Sequence, residues 1–328
     1  MFKKKRVLIT GATGSWGYEL VKKLLEKDPL EIRIFSRNES RQVDMMRYFS
    51  DNRLKFVIGD IKERESIIQA CQNIDYVFHL AALKHVPVCE DQPLEALKTN
   101  VHGTQNVIDA AIMNHVKKVV YISTDKAADP SNFYGLSKAM GERLIIHANM
   151  LSKGTKFVTV RGGNVLGTNG SVIHVFKKQI QENREVGITD FRMTRFFLTI
   201  EEAIDLLFMA FYKSIGGEIF VMKMPTCSIK DLAEVLIEDS GLKDVIVKEQ
   251  GIRPGEKIHE ILFSENESEH TVHYNEDYYV VLPSLDITGL KEQYDGFEFV
   301  DYGCYSSKSD LMSKAELKDL LLKGGFLS

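Results

Sequence analysis

Tyr134 and Lys138 stand four residues apart, a spacing that puts both on one face of a helix. A Lys ammonium beside a phenol lowers the phenol's pKa, and the phenolate can then take a hydroxyl proton while a nicotinamide takes the hydride. Just upstream, Ser123-Thr124-Asp125-Lys126 closes a β-branched run and offers hydroxyl, carboxyl and amine groups together. Near the start, Thr10-Gly11-Ala12-Thr13-Gly14-Ser15-Trp16-Gly17 joins an apolar run to an amphipathic one. Gly11 permits a tight turn, Gly14 lets backbone N–H groups approach a pyrophosphate, and Gly17 allows close packing of helix on strand. The spacing is G-x-x-G-x-x-G, and its place between a strand and a helix points to a dinucleotide.

A chain that binds NAD usually ends its second strand with Asp or Glu, which holds the ribose 2′-hydroxyl. Here the run ends Ile34-Phe35-Ser36-Arg37-Asn38. Ser36 can donate one hydrogen bond and Arg37 a charge-assisted pair to a 2′-phosphate, so NADP is expected in preference to NAD. Glu39 is the nearby residue that keeps NAD as the alternative. Asp60 and Ile61 follow the third run, where an adenine contact is expected, with turn capping as the competing role for Asp60.

These groups need a scaffold. The runs Arg6–Thr10, Ile32–Ser36, Leu54–Ile58, Tyr76–Leu80, Val119–Ser123 and Phe157–Val160 alternate with helical patterns such as Leu20, Val21, Leu24 and Leu25. That alternation predicts an α/β fold, a doubly wound Rossmann sheet of parallel strands with ligands at their carboxyl ends. After about Asn164 shorter units follow: helices near Val172–Glu182, Ile200–Lys213 and Ile229–Asp239, a strand Glu218–Val221, and the loop Gly251–Lys257. The expected division is an NADP-binding domain over 1–163, to which later segments can return, and a smaller, partly discontinuous mixed α/β substrate domain over 164–328. The tail stripe Leu311, Leu317, Leu320 and Leu321 reads as a packing helix.

With 328 residues, 44% hydrophobic and 27% charged, the chain can bury a large core without disulfides or metal. Its 42 Lys+Arg against 46 Asp+Glu, net charge −4, argue against nucleic acid as the main ligand. Cys71, Cys89, Cys227 and Cys304 form no C-x-x-C pair, which suits reduced thiols and no metal site. The basic N-terminus precedes only a short apolar stretch, and no long uncharged apolar run occurs. A soluble, cytoplasmic protein with no membrane span is expected.

Several motifs carry a resemblance to a known family. They are Thr10–Gly17, Ile34–Arg37, His79-Leu80-Ala81-Ala82-Leu83-Lys84-His85-Val86-Pro87, Lys98–Val101, Ser123-Thr124-Asp125-Lys126-Ala127-Ala128, Tyr134–Lys138, Asn164-Val165, Met193-Thr194-Arg195-Phe196 and Gly251–Lys257. Through them the chain resembles the extended short-chain dehydrogenase/reductases over essentially its whole length, and within them the inverting UDP-N-acetylglucosamine 4,6-dehydratases. The Asp-Lys pair is the specific part, since the family's epimerases lack it and its retaining dehydratases carry Asp-Glu there.

The resemblance implies that Tyr134 is the base for oxidation at C4, with Thr124 beside it, and that Lys138 holds the nicotinamide ribose. Lys126 would abstract the C5 proton and Asp125 act on the C6 hydroxyl. A lysine base must be neutral and a carboxyl acid protonated, which requires Lys126 to be desolvated or near another cation and Asp125 to have a raised pKa. Ala81, Ala82, Lys84 and Val165 would line the cofactor. Lys84, Arg195 and Arg253 are cations suited to a nucleoside diphosphate; Glu256 could accept ribose hydroxyls, and Asn164 matches a substrate contact.

The implied substrate is UDP-N-acetylglucosamine, the cofactor is recycled within each turnover, and the assembly is a homo-oligomer. Three positions depart from the pattern: Gly162 where the family has Tyr, Asn169 where it has Arg, and His174 where Pro is common. These changes make release of a 5,6-unsaturated sugar nucleotide an alternative outcome. A C4 epimerase and a non-catalytic NADP sensor are the rival readings.

Overall fold

The computed structural model describes residues 1–168 and 171–327, so Asn169 lies outside the described residues. Six parallel strands form its centre: β1 (Arg6–Thr10), β2 (Glu31–Ser36), β3 (Leu54–Ile58), β4 (Tyr76–His79), β5 (Lys118–Thr124) and β6 (Lys156–Gly162). They lie in the order β3-β2-β1-β4-β5-β6, the doubly wound arrangement expected of the alternating pattern. In β1, Val7 and Ile9 enter one apolar core while Leu8 enters the other. A strand covered on both faces reads as an unbroken apolar run, which is why these strands are visible in the sequence.

The first core packs the helix Ser15–Leu25 and the helix Ile200–Lys213 against one face of the sheet, with Leu20, Leu24 and Leu207 fully buried. Burial of each such leucine stabilises the fold by about 1.5–3 kcal/mol. The second core holds Val107, Ile108 and Ile145 from the helices Gly103–Met113 and Phe133–Leu151 on the other face. A capping box starts the helix Ile200–Lys213: Thr199 Oγ1 accepts from Glu202 N at 3.2 Å, and Glu202 Oε2 accepts from Thr199 N at 2.7 Å.

Chain from the second half completes the sheet. Ile219–Met222 pairs parallel with β6, Tyr278–Val281 lies antiparallel to it, and Thr271–His273 forms the edge. A third core unites the helices Val172–Asn183, Ile229–Ser240 and Lys314–Lys323 through Phe176, Ile180, Leu232, Leu236, Leu317 and Leu321. Leu311, expected in the tail stripe, precedes that helix and is exposed, because Ser313 caps the helix only after it.

Buried ion pairs tie the halves together. Arg161 on β6 makes bidentate contacts with Glu142 (2.8 and 2.6 Å) and Glu267 (2.8 and 2.8 Å) and donates to Leu262 O at 3.0 Å. All four cysteines are free, with Cys71, Cys89 and Cys227 buried and Cys304 exposed.

Candidate active site

A cleft of about 1390 Å³ opens over the carboxyl ends of the strands and is walled on its far side by residues from the second half. The turn after β1 forms its floor, bringing Gly11 and residues 13–17 to the lining. Gly11 adopts φ +69°, and a Cβ there would sit 2.7 Å from the backbone of Ala81. At Gly17 a Cβ would lie 1.8 Å from the Ala12 carbonyl oxygen, so the helix can approach the turn only with glycine here. The nearest protein atom to a Cβ at Gly14 is 3.6 Å away, which leaves its backbone open to a pyrophosphate. Beneath the turn, Thr10 Oγ1 bonds His79 Nδ1 at 2.7 Å; burial, with Lys138 adding to it, pushes His79 down to about 3 and keeps it neutral.

The residues meant for the adenosine end gather at one rim of this cleft. Ser36 Oγ accepts from Gln42 Nε2 at 3.0 Å and keeps its own proton to donate. The Arg37 guanidinium stands 3.7 Å from Asp60, which also pairs with Lys62 at 3.6 Å and accepts from Lys62 N at 3.0 Å. Asp60 therefore caps its turn and partly neutralises Arg37 as well as lining the cleft. Ile61 is buried, with its side chain filling the space that Gly103 leaves. Ala81 and Ala82 line the middle of the cleft.

The proton-transfer groups meet at the end of β5. Thr124 Oγ1 donates to Asp125 Oδ1 at 2.8 Å, and Lys126 Nζ donates to the same oxygen at 2.9 Å. Ser123 Oγ is buried without a partner and lines the cleft. Asp125 sits just behind the lining, 1% exposed, with Oδ2 also unpartnered.

Two sequence-based expectations need correction here. Burial pushes Tyr134 up to about 12, and the groups that pull it down are Lys126 and Thr124 rather than Lys138. Lys138 shares the helical face as expected, but its Nζ donates to Ile122 O at 2.6 Å and lies 3.9 Å from the Tyr121 ring; burial lowers it to about 7. The second concerns Lys126. Burial works to lower its pKa, but Asp125 and Glu260 outweigh that and hold it above the ordinary value, so it rests as an ammonium.

Glu260 escaped the sequence reading. Its Oε1 lies 3.2 Å from Lys126 Nζ and 3.6 Å from Arg195 Nε, and its Oε2 is buried with no partner. No motif flags it, because residues 126, 195 and 260 meet only in the fold.

Arg195 also differs from expectation. Its Nη1 donates to Thr194 O (2.7 Å) and Ile258 O (3.0 Å), and its Nη2 to Lys257 O (2.9 Å) and towards Met193 Sδ (3.7 Å). With Nε facing Glu260, all five N–H groups point at protein acceptors, so Arg195 braces the segment 257–260 instead of offering itself to a diphosphate.

The other cations remain at the cleft. Arg253 is exposed on its wall, and Lys84 also lines the cleft, its pKa lowered by desolvation. Glu256 Oε2 is buried without a hydrogen-bond partner, as befits an acceptor for ligand hydroxyls. The loop carrying both Arg253 and Glu256 is docked by Gly255 O, which accepts from Ser131 Oγ (3.0 Å) and Asn132 Nδ2 (2.8 Å). Asn164 and Val165 form a short strand beside Phe197 and Leu198 and reach the cleft. At Gly162 a Cβ would meet the Trp16 ring at 3.3 Å, so the indole from the glycine turn covers the place a larger residue at 162 would take. His174 Nε2 contacts Gly167 O at 3.1 Å. Among the described residues no cluster of ligands suits a metal ion, and no helix is long and apolar enough to cross a membrane.

A family model described as a polysaccharide biosynthesis protein matches residues 7–282. The chain is 41% identical over 334 residues to a Campylobacter jejuni protein named UDP-N-acetylglucosamine 4,6-dehydratase (inverting), covering 98% of each. It is 42% identical over 332 residues to a Rickettsia akari protein named UDP-glucose 4-epimerase, covering 98% of this chain and 96% of that one. The X-ray structure of Pen from Bacillus thuringiensis superposes with a TM-score of 0.93 at 41% identity and covers 100% of both chains.

Proposed function

The chain belongs to the polysaccharide biosynthesis protein family, and from that membership we propose that it is an inverting UDP-N-acetylglucosamine 4,6-dehydratase. The observation that carries this reading is the Asp125–Lys126 pair in the turn after β5, with Asp125 buried and Lys126 lining the cleft beside Tyr134. An epimerase or a dinucleotide sensor needs the glycine turn, but neither needs an acid and a base for elimination.

The residues fit a nicotinamide dinucleotide: the open backbone at Gly14, the unpartnered Ser123 hydroxyl and the Lys138 amine all line the one cleft. When bound, this group accepts a hydride from C4 and returns it to C6. Tyr134 takes the C4 hydroxyl proton, assisted by the Lys126 ammonium and the Thr124 hydroxyl, the two groups that favour its phenolate. Elimination then needs a neutral Lys126 and a protonated Asp125. Both arise from one event, transfer of a proton across the 2.9 Å bond from Lys126 Nζ to Asp125 Oδ1. Lys126 next takes the C5 proton, and Asp125 gives its proton to the departing C6 hydroxyl, which leaves as water. The protons balance: one comes from O4 and one from C5, and one goes to water and one back to C5. Reprotonation of C5 from the opposite face inverts it.

For the finer assignments we favour NADP, because β2 ends in Ser36, Arg37 follows it directly, and all of Ser36, Arg37 and Arg41 line the cleft. Exchanging Arg37 for Glu removes a charge-assisted contact worth about 1.5–3 kcal/mol, and the ratio of NADP to NAD dissociation constants should rise roughly tenfold or more. Leu136 and Met140, four apart on the helix Phe133–Leu151, leave an exposed apolar face that supports a homo-oligomer. Four free cysteines fit a cytoplasmic setting.

The test is incubation of the protein with UDP-N-acetylglucosamine in deuterated water, followed by mass spectrometry and proton NMR. Loss of one water with a new C6 methyl and deuterium at C5 supports the full cycle, whereas an exocyclic methylene means that the 5,6-unsaturated sugar is released. An unchanged mass with inverted C4 overturns the reading in favour of the epimerase. In Lys126→Ala, C4 oxidation should slow, because the Tyr134 phenolate loses one of its two supports, and water loss should fail altogether.

A further inference from the structure

We propose that Glu260 is the positioning residue for Lys126, its carboxylate bridging the Lys126 ammonium to the Arg195 guanidinium and so linking the proton-transfer pair to the segment that carries Arg253 and Glu256. This rests on the dehydratase reading for its role in turnover. The geometry comes from three separate parts of the chain: Lys126 from the turn after β5, Arg195 from the strand Thr194–Leu198, and Glu260 from the stretch after the 251–257 loop.

One oxygen, Oε1, faces both cations, at 3.2 and 3.6 Å. Glu260 is itself immobilised, since its N donates to Ser307 Oγ at 2.9 Å and its O accepts from Ser307 N at 2.9 Å. Only 2% exposed, it is a buried carboxylate whose charge is balanced by these two cations. Arg195 anchors the same segment by the carbonyls of Lys257 and Ile258, so Arg195 and Glu260 connect the nucleotide-side loop to Lys126, alongside the loop's contacts with Asp129, Ser131 and Asn132.

The charged and titratable groups facing Lys126 are Asp125 from its own turn, Glu260, Arg195, and Tyr134 from the helix Phe133–Leu151. Glu260 opposes loss of the Lys126 proton and Arg195 promotes it. Their removal must therefore act in opposite directions, a pattern that general loosening of the site does not produce.

The experiment measures acylation of Lys126 by acetic anhydride as a function of pH in the intact protein, with peptide mass spectrometry, alongside the pH dependence of kcat. In Glu260→Gln, which keeps shape but loses charge, Lys126 should label about tenfold faster at a pH below the wild-type midpoint, and the acid limb of kcat should move to lower pH. Arg195→Gln should slow labelling. If either variant does not fold, Glu260→Asp serves, with a smaller change of the same sign as Glu260→Gln. Labelling profiles that overlay wild type in Glu260→Gln overturn the proposal. Because labelling does not require turnover, a wild-type protein that expels no water while Glu260→Gln still shifts Lys126 overturns the dehydratase reading alone.

Discussion

At the scale of single residues, burial rather than neighbouring charge sets the state of Lys138. Its folded pKa of about 7 lies below that of an unfolded lysine, about 10.4. Between those values the unfolded chain binds a proton that the folded chain does not, so this group makes stability rise with pH across that window. Below it, both states are protonated and the full cost of burying the ammonium is present. Lys138→Met should therefore be stabilised relative to wild type most at pH 7 and below, with the gap closing towards pH 10, as read from urea midpoints. Tyr134 and Lys138 were legible in the sequence as a helical pair, but their coupling was not. Which cation serves Tyr134 depends on the turn after β5, which brings Lys126 to the phenol while Lys138 turns to Ile122 O. Glu260 was illegible for a related reason: an isolated acidic residue has no periodicity, and its meaning comes from partners 134 and 65 positions away.

At the scale of elements, the β1 turn and the helix after it depend on a contact that no side chain can share. Gly17→Ala sets a methyl group 1.8 Å from the Ala12 carbonyl oxygen, and overpacking of this kind costs about 1–3 kcal/mol. The variant should melt several degrees lower and lose dinucleotide affinity together, which thermal denaturation and a titration with NADP will check. The six parallel strands were legible because burial on both faces leaves uninterrupted β-branched runs. Tyr278–Val281 and Thr271–His273 were not, since they are short, aromatic or polar, and join the sheet only by pairing with chain far away in sequence. The helical stretch from Pro93 to Met113 is interrupted by a wider turn over Leu97–His102. There Asn100 bonds Leu83 N (2.8 Å), Leu83 O (2.9 Å) and Ser137 Oγ (2.9 Å), a local distortion that side-chain periodicity does not encode.

At the scale of the whole molecule, the two halves share one sheet and one buried ion network. Arg161 lies between Glu142 and Glu267, and replacing it with Met leaves two buried carboxylates without their cation. Loss of one partner from such a network costs about 3–5 kcal/mol, so Arg161→Met should unfold at markedly lower urea, with both halves lost in a single transition by circular dichroism and fluorescence. The same integration gives Trp16 a use beyond packing. It is the only tryptophan in the chain and lines the cleft next to Gly162. Indole emission overlaps the absorption of reduced nicotinamide, so the protein carries a single built-in donor fluorophore in the cleft proposed to hold that group. A hydride borrowed and repaid within one turnover leaves no trace in bulk absorbance, yet in a stopped-flow record it becomes a brief dip in the light from one ring.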